Sequence, residues 1–298
     1  MINSNMVEPL IQPILPVTDF ACELAENPLW DAERSCVYWT DITAGKMYSL
    51  DLNSGLHRLI YEGPTVGGFT LQQDGALLLF RIDDIALLRR NGILSIQQKV
   101  ADGGMARFND VIADPEGRVF AGTIGKTDQS GGLYRLDQCG TLTKLFSGTG
   151  CSNGMGFSLD TSTFYWTCST TRQIFQFDYD RSTGELGDRR LFYRASPGEG
   201  IPDGLAVDAE GCIWSARWDG ASITRHDPGG AVITSIPFPA PKITSLCFAG
   251  ANLDRMVVTS AKQAEFPSSG FLFQTKSPAR GLKKFLSALD FCEPTSTT

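Results

Sequence analysis

The sequence predicts an all-β protein, a six-bladed β-propeller with four-stranded antiparallel blades, in a single domain over residues 1–298. Three observations predict this fold. A segment of similar pattern occurs six times, at intervals of 41 to 50 residues. Each copy contains four short segments rich in the β-branched and aromatic residues that favour strands. The 31 glycines and 15 prolines interrupt the chain too often for long helices. Four strands in a repeat of roughly 40–45 residues are typical of a propeller blade.

The clearest copy is residues 201–214, IPDGLAVDAEGCIW. Asp203 precedes an apolar strand, an acidic turn follows at residues 208–211, and a second strand begins at Cys212. This order predicts a short β-hairpin. The other copies open at Glu26, Gly67, Asn109, Asn153 and Thr244.

The two ends of the chain lie outside this repeat. Residues 7–25 contain several prolines, which favour edge strands over helix. Because a ring of blades must be closed, we expect this segment to supply a strand to the last blade. Residues 279–289 are predicted as a last blade strand in preference to a short helix, and residues 293–298 as a frayed tail.

The composition narrows the possible partners and location. A hydrophobic content of 42% allows a large core, and a net charge of −7 disfavours nucleic acid and anionic membranes as partners. The chain has no apolar stretch of membrane-spanning length, and its N-terminus lacks the features of a signal peptide. We therefore expect a cytoplasmic protein. Its eight cysteines form no CxxC pair, which favours free buried thiols over disulfides or a zinc site.

Equivalent positions of the repeat should meet at one mouth of the central tunnel. Four of the six opening positions carry a side-chain oxygen: Glu26, Asn109, Asn153 and Asp203. Asn and Asp also begin turns, so each one alone could be a turn cap. Together they would place two carboxylates across a narrow tunnel, which is unfavourable unless a cation or a proton lies between them. Oxygen ligands suit Ca²⁺, Mg²⁺ or Mn²⁺, so we expect one divalent cation here.

Other candidate catalytic residues are weaker. Arg107 precedes Asn109 by two residues; it is either a surface ion-pair partner or a contact for substrate oxygens. His57 and His226 are the only histidines and fall in outer hairpins, which weighs against a Ser-His-Asp triad. Cys151 has no histidine partner in the pattern, so a structural role is favoured over a nucleophilic one.

Several motifs resemble those of the SMP-30/gluconolactonase/luciferin-regenerating family of six-bladed propellers. They are AENPLWD with YWTDI, ARFNDVIADPEGRVFAGTIG, SNGMGFSLD, PDGLAVDAEG and TSLCF. The resemblance implies a divalent metal held by Glu26, Asn153 and Asp203, with Ca²⁺ as the first candidate and Mg²⁺, Mn²⁺ or Zn²⁺ as alternatives. It also implies that Arg107 and Asn109 face the substrate, with Asn109 reaching the metal directly or through water.

Family members are mostly lactonases acting on sugar lactones, and some hydrolyse organophosphates. The implied mechanism is that the metal polarises the lactone carbonyl, a water near the metal attacks, and Asp203 is the acid/base. Three departures concern the surroundings of the site. ENP replaces the commoner EGP, Cys168 stands where relatives commonly have Asp, and Lys126-Thr127-Asp128 follows GTIG.

The sequence therefore predicts a metal-dependent lactonase whose partner is a small-molecule sugar (aldono-) lactone. Two alternatives remain open. One is a promiscuous ester or organophosphate hydrolase that uses the same metal site. The other is a calcium-binding propeller without catalytic activity, because fold alone does not determine function.

Overall fold

A computed structural model describes residues 13–291 of the chain. These residues form 25 strands in six antiparallel sheets and contain no helix. The prediction of an all-β six-bladed propeller is confirmed. Nowhere in the described part of the chain is there a helix long and apolar enough to span a membrane. The cytoplasmic location expected from the sequence stays a prediction.

The strands follow the ring of blades in chain order, and each blade is named by its position. Blade 1 contains β2 (Ala25–Asp31), β3 (Cys36–Asp41), β4 (Lys46–Asp51) and β5 (His57–Glu62). Blade 2 contains β6 (Gly68–Leu71), β7 (Leu77–Phe80), β8 (Asp84–Leu88) and β9 (Leu94–Lys99). Blade 3 contains β10 (Met105–Ala113), β11 (Val119–Gly125), β12 (Gly131–Leu136) and β13 (Leu142–Thr149).

Blade 4 contains β14 (Ser152–Phe157), β15 (Thr163–Cys168), β16 (Gln173–Asp180) and β18 (Arg190–Arg194), with the two-residue β17 (Glu185–Leu186) as an extra strand on β16. Blade 5 contains β19 (Ile201–Val207), β20 (Ile213–Trp218), β21 (Ser222–His226) and β22 (Val232–Pro237). Blade 6 contains β23 (Ile243–Ala249), β24 (Arg255–Ser260), β25 (Phe273–Lys276) and β1 (Leu15–Pro16).

Acidic turns after the inner strands of blades 3 and 5 stabilise their hairpins. In blade 5, Asp208 Oδ1 accepts hydrogen bonds from the backbone N–H groups of Glu210 and Cys212, at 2.9 and 3.0 Å. Gly211 in this turn has φ of +79°, a conformation that glycine adopts without steric cost. The same carboxylate pattern recurs in blade 3 at Asp114. The turn chemistry read from the sequence therefore produces the β19–β20 hairpin.

The first strand in the chain is the outer strand of the last blade. β1 pairs antiparallel with β25, with Leu15 opposite Gln274. On the inner side of the blade, Thr244 Oγ1 donates to the carbonyl of Ala25 in blade 1 at 2.6 Å. β1 thus completes blade 6 before the chain enters blade 1, and the Thr244–Ala25 hydrogen bond joins the inner strands of the two blades. Residues 7–12 of the expected edge segment lie outside the described residues.

Large aromatic side chains fill the spaces between the blades. Trp39, Trp166 and Trp214, on the second strands of blades 1, 4 and 5, are at most 1% exposed. Replacing such a side chain by alanine typically costs about 3–5 kcal/mol. This core holds the blades at fixed angles, so the inner strands that line the tunnel are held rigidly.

Residues 277–291, which we call the closing segment, contradict the prediction of a last strand at residues 279–289. They contain no strand and no helix, only single bridges at Gly281 and Ser287. Blade 6 already has four strands once β1 is included, so this segment has no free position in a sheet. Its backbone instead bonds the ends of several blades, with partners in Ala209, Leu71, Gly117 and Gln138. The predicted tail, residues 293–298, lies outside the described residues.

Candidate functional site

The predicted site residues lie where the inner strands are irregular. The register of the inner hairpin shifts between Glu26 and Leu29 in blade 1 and between Phe108 and Val111 in blade 3. Blades 4 and 5 show the same shift around Asn153 and Asp203. A β-bulge turns a strand locally and redirects its side chains, as is common next to active sites. The four oxygen-bearing residues therefore share one local backbone feature at the entrance end of the tunnel.

These four residues are buried and lie close together. The exposed fractions of Glu26, Asn109, Asn153 and Asp203 are 8%, 6%, 6% and 5%. Asn109 Nδ2 donates to Asn153 Oδ1 at 2.9 Å, which joins blades 3 and 4. Glu26 in blade 1 and Asp203 in blade 5 occupy the equivalent position of their inner strands, and the charge of Glu26 raises the pKa of Asp203.

Glycines allow the inner strands to approach this closely. A Cβ atom on Gly154, next to Asn153, would lie 2.2 Å from the backbone N of Leu205. A Cβ atom on Gly67, the opening position of blade 2, would lie 1.9 Å from the carbonyl O of Phe108. Both distances are far below van der Waals contact, so only glycine fits. Blade 2 therefore contributes no side chain at this position.

The two carboxyl groups are electrostatically strained. Burial, followed by the neighbouring charge of Asp110, raises the pKa of Glu26 to about 8. Burial, followed by the charges of Glu26 and Asp110, raises the pKa of Asp203 well above its usual value. Arg107 opposes both shifts. A buried carboxylate beside a second one is stabilised by a bound cation, so the site has the electrostatic character of a cation site.

The hydrogen bonding of Asp203 is consistent with such an ion. Its Oδ1 atom is buried and has no hydrogen-bond partner, although a buried carboxylate oxygen normally has one. Within residues 13–291, no group of three or more His, Cys, Asp and Glu side chains could hold a metal. An ion at Glu26 and Asp203 would therefore also need amide oxygens and water. Such an all-oxygen set suits a hard divalent cation.

Arg107 lies beside this cluster and is held in a fixed orientation. Its Nη1 atom donates to Asn109 Oδ1 at 2.6 Å and to the carbonyl of Phe108 at 2.9 Å. Burial lowers its pKa, while Glu26 and Asp203 are among the charges that raise it. The guanidinium group keeps further donors that these two bonds do not use.

Asn27 is a site residue that the sequence analysis treated only as a departure from a family motif. Its φ is +51°, in the left-handed region that Asn tolerates better than most residues. Its backbone N donates to Glu26 Oε2 at 3.0 Å, and its Nδ2 donates to Asp110 Oδ1 at 3.0 Å. Its Oδ1 accepts from the backbone N of Phe69 at 2.8 Å. The Asn in place of Gly is the one signal in the sequence that could have identified it.

Ser169 is a second residue that was missed. Its Oγ accepts from Asn153 Nδ2 at 3.0 Å and donates to the carbonyl of Pro202 at 2.7 Å. It thus fixes the amide of Asn153 and the strand that carries Asp203. No sequence pattern marks this residue.

The histidines lie in the outer hairpins, as expected from the sequence, and five of the seven described cysteines are buried, whereas Cys139 is exposed. His226 is fully buried on β21 against Arg217, and His57 is on β5, an outer strand. The seven cysteines among the described residues are free. Cys168 is buried, and its Sγ lies 3.1 Å from Thr149 Oγ1. Cys151 is half-buried near the mouth, where burial raises its pKa to about 12.

A sizeable cavity lies elsewhere in the described part of the chain. It has a volume of about 450 Å³ and is lined by residues such as Trp30, Phe248 and Leu286 at the opposite end of the tunnel. None of the clustered oxygen residues of the mouth lines it. The mouth is therefore the candidate functional site on the basis of its charges and not of cavity size.

Comparisons with known proteins agree with the motifs. Residues 24–262 match the family model described as the SMP-30/Gluconolactonase/LRE-like region. The chain is 36% identical over 286 residues to the pentonolactonase XacC of Haloferax volcanii, covering 91% of this chain and 97% of that protein. It is 35% identical over 248 residues to regucalcin of Gallus gallus, covering 80% and 83% of the two chains.

One solved structure is similar along almost its whole length. The calcium-binding protein regucalcin from Agrobacterium tumefaciens superposes with a TM-score of 0.87 at 26% identity, covering 92% of this chain and 97% of that one. The protein therefore belongs to the SMP-30/gluconolactonase/LRE-like family, as the motif resemblance indicated.

Proposed function

We propose that this protein is a metal-dependent lactonase that hydrolyses a sugar lactone at the tunnel mouth. The observation that carries the proposal is the buried, unpartnered Oδ1 of Asp203 beside Glu26. The relative named pentonolactonase supports a sugar lactone as the substrate class. The solved relative described as calcium-binding supports Ca²⁺ as the ion.

In this proposal Glu26, Asn153 and Asp203 hold one divalent cation, and Asn109 lies close enough to join them through its contact with Asn153. When bound, the ion supplies Lewis acidity and compensates the charges of the two carboxylates. Arg107 donates hydrogen bonds to hydroxyl or carbonyl oxygens of the substrate. Asn109 Nδ2 already donates to Ser152 O and Asn153 Oδ1, so Asn109 faces the substrate with Oδ1, which can accept from a hydroxyl group. The Arg107–Asn109 contact holds these two side chains in one orientation before the substrate arrives.

Asp203 is the acid/base of the proposed reaction. It accepts the proton of a water molecule as the water oxygen forms a bond to the lactone carbonyl carbon. It then returns this proton to the ring oxygen when the ester C–O bond breaks, which leaves a hydroxy acid. In the metal-free protein, burial and Glu26 raise the pKa of Asp203. A bound cation would lower this pKa, but it would also make the nearby water more acidic, so the carboxylate could still accept the proton.

The test combines metal removal with substitution of Asp203. After EDTA treatment, hydrolysis of an aldonolactone should fall to background and return on addition of Ca²⁺, Mg²⁺ or Mn²⁺. Asp203→Asn keeps the side-chain shape, and we expect kcat/KM to fall by about 10³-fold or more, because the proton acceptor is lost. Asp208→Asn, in the distal turn of the same strand, controls for stability effects.

The same assay separates the alternatives. An aliphatic lactone and an aryl phosphotriester measured beside the aldonolactone identify a promiscuous hydrolase by relative kcat/KM. Binding of Ca²⁺ without hydrolysis of any of these substrates would identify a non-catalytic calcium-binding propeller. Full activity of Asp203→Asn without metal would refute the proposed mechanism.

A further inference from the structure

Below the mouth, the tunnel contains a small polar cavity. Its volume is about 40 Å³, and the inner strands of all six blades line it through Asn27, Thr70, Asp110, Met155, Leu205 and Ser245. Lys284 of the closing segment also lines it. A cavity of this size with polar walls can hold at least one water molecule.

The closing segment places Lys284 at the far end of the tunnel. On one side the backbone N of Gly281 bonds to the carbonyl of Leu253 in blade 6, and on the other Ser287 N bonds to Leu71 O in blade 2. Ser287 Oγ is also 2.8 Å from Thr70 Oγ1. These anchors hold the intervening residues across the tunnel between two blades.

The ammonium group of Lys284 interacts with Asp110 through the cavity. Among the described residues it takes part in no ion pair within 4.0 Å and no hydrogen bond, unlike Lys99 and Lys144, which bind carboxylates directly. Burial lowers the pKa of Lys284, and the charge of Asp110 raises it. Conversely, burial raises the pKa of Asp110, and the charge of Lys284 is the largest of the effects that lower it. Water in the cavity can bridge the two groups.

Among the described residues, the tunnel contains more acidic than basic side chains. Glu26, Asp110 and Asp203 are buried, whereas Arg107 and Lys284, the cations whose charges lower the pKa values of these carboxyl groups, are half-buried. Asn27 links Asp110 to the mouth. The side chain of Asn27 donates a hydrogen bond to Asp110, and the backbone N–H of Asn27 donates one to Glu26. A change of charge at Lys284 should therefore reach the mouth.

We propose that Lys284 is the internal cation of the tunnel: it balances Asp110 from below and so limits the carboxylate cluster to a single divalent ion. Lys284 is a positioning residue in this proposal, because it acts on the site through Asp110 and Asn27. The proposal rests on one part of the proposed function, the divalent cation at the mouth, and not on lactone hydrolysis.

The test is Ca²⁺ binding to metal-free protein, measured by isothermal titration calorimetry. We expect one bound Ca²⁺ for the unchanged protein. Lys284→Met keeps a long unbranched side chain but removes the charge; it should bind a second Ca²⁺, because a repelling charge is gone. Lys284→Arg, which keeps the charge, should bind as the unchanged protein does.

Two further variants test whether the effect comes from the tunnel. Lys283→Met removes a charge from the neighbouring exposed residue, and its Ca²⁺ binding should not change. The double variant Lys284→Met/Asp110→Asn removes both members of the pair and should again bind one ion with near-native affinity. If Lys284→Met alone fails to fold, the double variant should fold, because the cause would be an uncompensated carboxylate.

An equal number of bound ions in the unchanged protein and in Lys284→Met would overturn the proposal, even if neither protein bound Ca²⁺. A double variant that binds as many Ca²⁺ ions as Lys284→Met does, or that does not fold, would also overturn the proposal. None of these measurements uses lactone hydrolysis. If the protein binds Ca²⁺ but hydrolyses no lactone, the proposed function is wrong, whereas the Ca²⁺-binding test of Lys284 can still be made.

Discussion

Substitution of Asn27 by glycine separates the backbone role of this residue from the role of its side chain. Glycine keeps the left-handed backbone conformation at φ of +51° without strain. It also keeps the backbone hydrogen bond from residue 27 to Glu26 Oε2. Only the side-chain contacts to Asp110 and Phe69 are lost.

The expected cost follows from these two contacts. The buried N–H of Phe69 loses its acceptor, and an unsatisfied buried donor costs about 1–3 kcal/mol. Asp110 loses a neutral donor to a buried carboxyl group, which adds about 1 kcal/mol or more. We therefore expect Asn27→Gly to lower the free energy of unfolding by about 2–4 kcal/mol. Asn27→Ala should cost about 1 kcal/mol more, because a Cβ atom disfavours the left-handed region.

The measurement is urea denaturation of metal-free protein, followed by tryptophan fluorescence. Asn53→Gly, in an exposed turn, measures the cost of an Asn-to-Gly change without buried contacts and should stay below about 1 kcal/mol. An Asn27→Gly protein as stable as the Asn53→Gly control would show that the side chain of Asn27 contributes nothing. The reasoning about the Asp110 link would then be wrong.

Two further predictions concern Arg107 and a buried histidine. Arg107→Lys keeps the charge but loses the paired donors, so KM for a lactone should rise about tenfold or more while Ca²⁺ affinity, measured by calorimetry, stays unchanged. A large loss of Ca²⁺ affinity would contradict a substrate role. Burial, followed by the charge of Arg217, lowers the pKa of His226 to about 4. Between about pH 6.5 and pH 4 the unfolded chain therefore binds the extra proton, and the folded protein should lose up to about 3 kcal/mol of stability as the pH falls through this window. His226→Gln should remove this part of the pH dependence in urea denaturation, and an unchanged pH profile would refute it.

The fold and the main site residues could be predicted because both follow from one repeat. Side chains at equivalent positions of a ring point to a common axis, so aligning the copies is enough to bring Glu26, Asn109, Asn153 and Asp203 together. The alignment also identified Gly67 as a position without a side chain. Why it must be glycine became clear only from the carbonyl of Phe108 in the next blade.

The remaining parts depend on contacts that no repeat encodes. The closing segment follows the last blade strand and has no counterpart in the other copies, so its pattern was misread as a strand. Lys284 meets Asp110 only because that segment crosses the tunnel, and the two residues are far apart in sequence. Ser169 acts through one hydroxyl group, which leaves no mark in hydropathy or spacing.

These contacts also explain how a propeller can hold carboxyl groups at its axis. Glu26 and Asp203 are unfavourable where they stand, since burial and the charge of Asp110 raise the pKa values of both. The backbone of residue 27 and the guanidinium of Arg107 partly offset this cost, and a divalent ion would offset the rest. If so, the entrance end of the tunnel is stabilised by its ligand, while the far end is stabilised by Lys284, a cation that is part of the chain. Removing the ion should therefore destabilise the inner strands near the mouth more than those near the closing segment, a difference that amide hydrogen exchange with and without Ca²⁺ can measure.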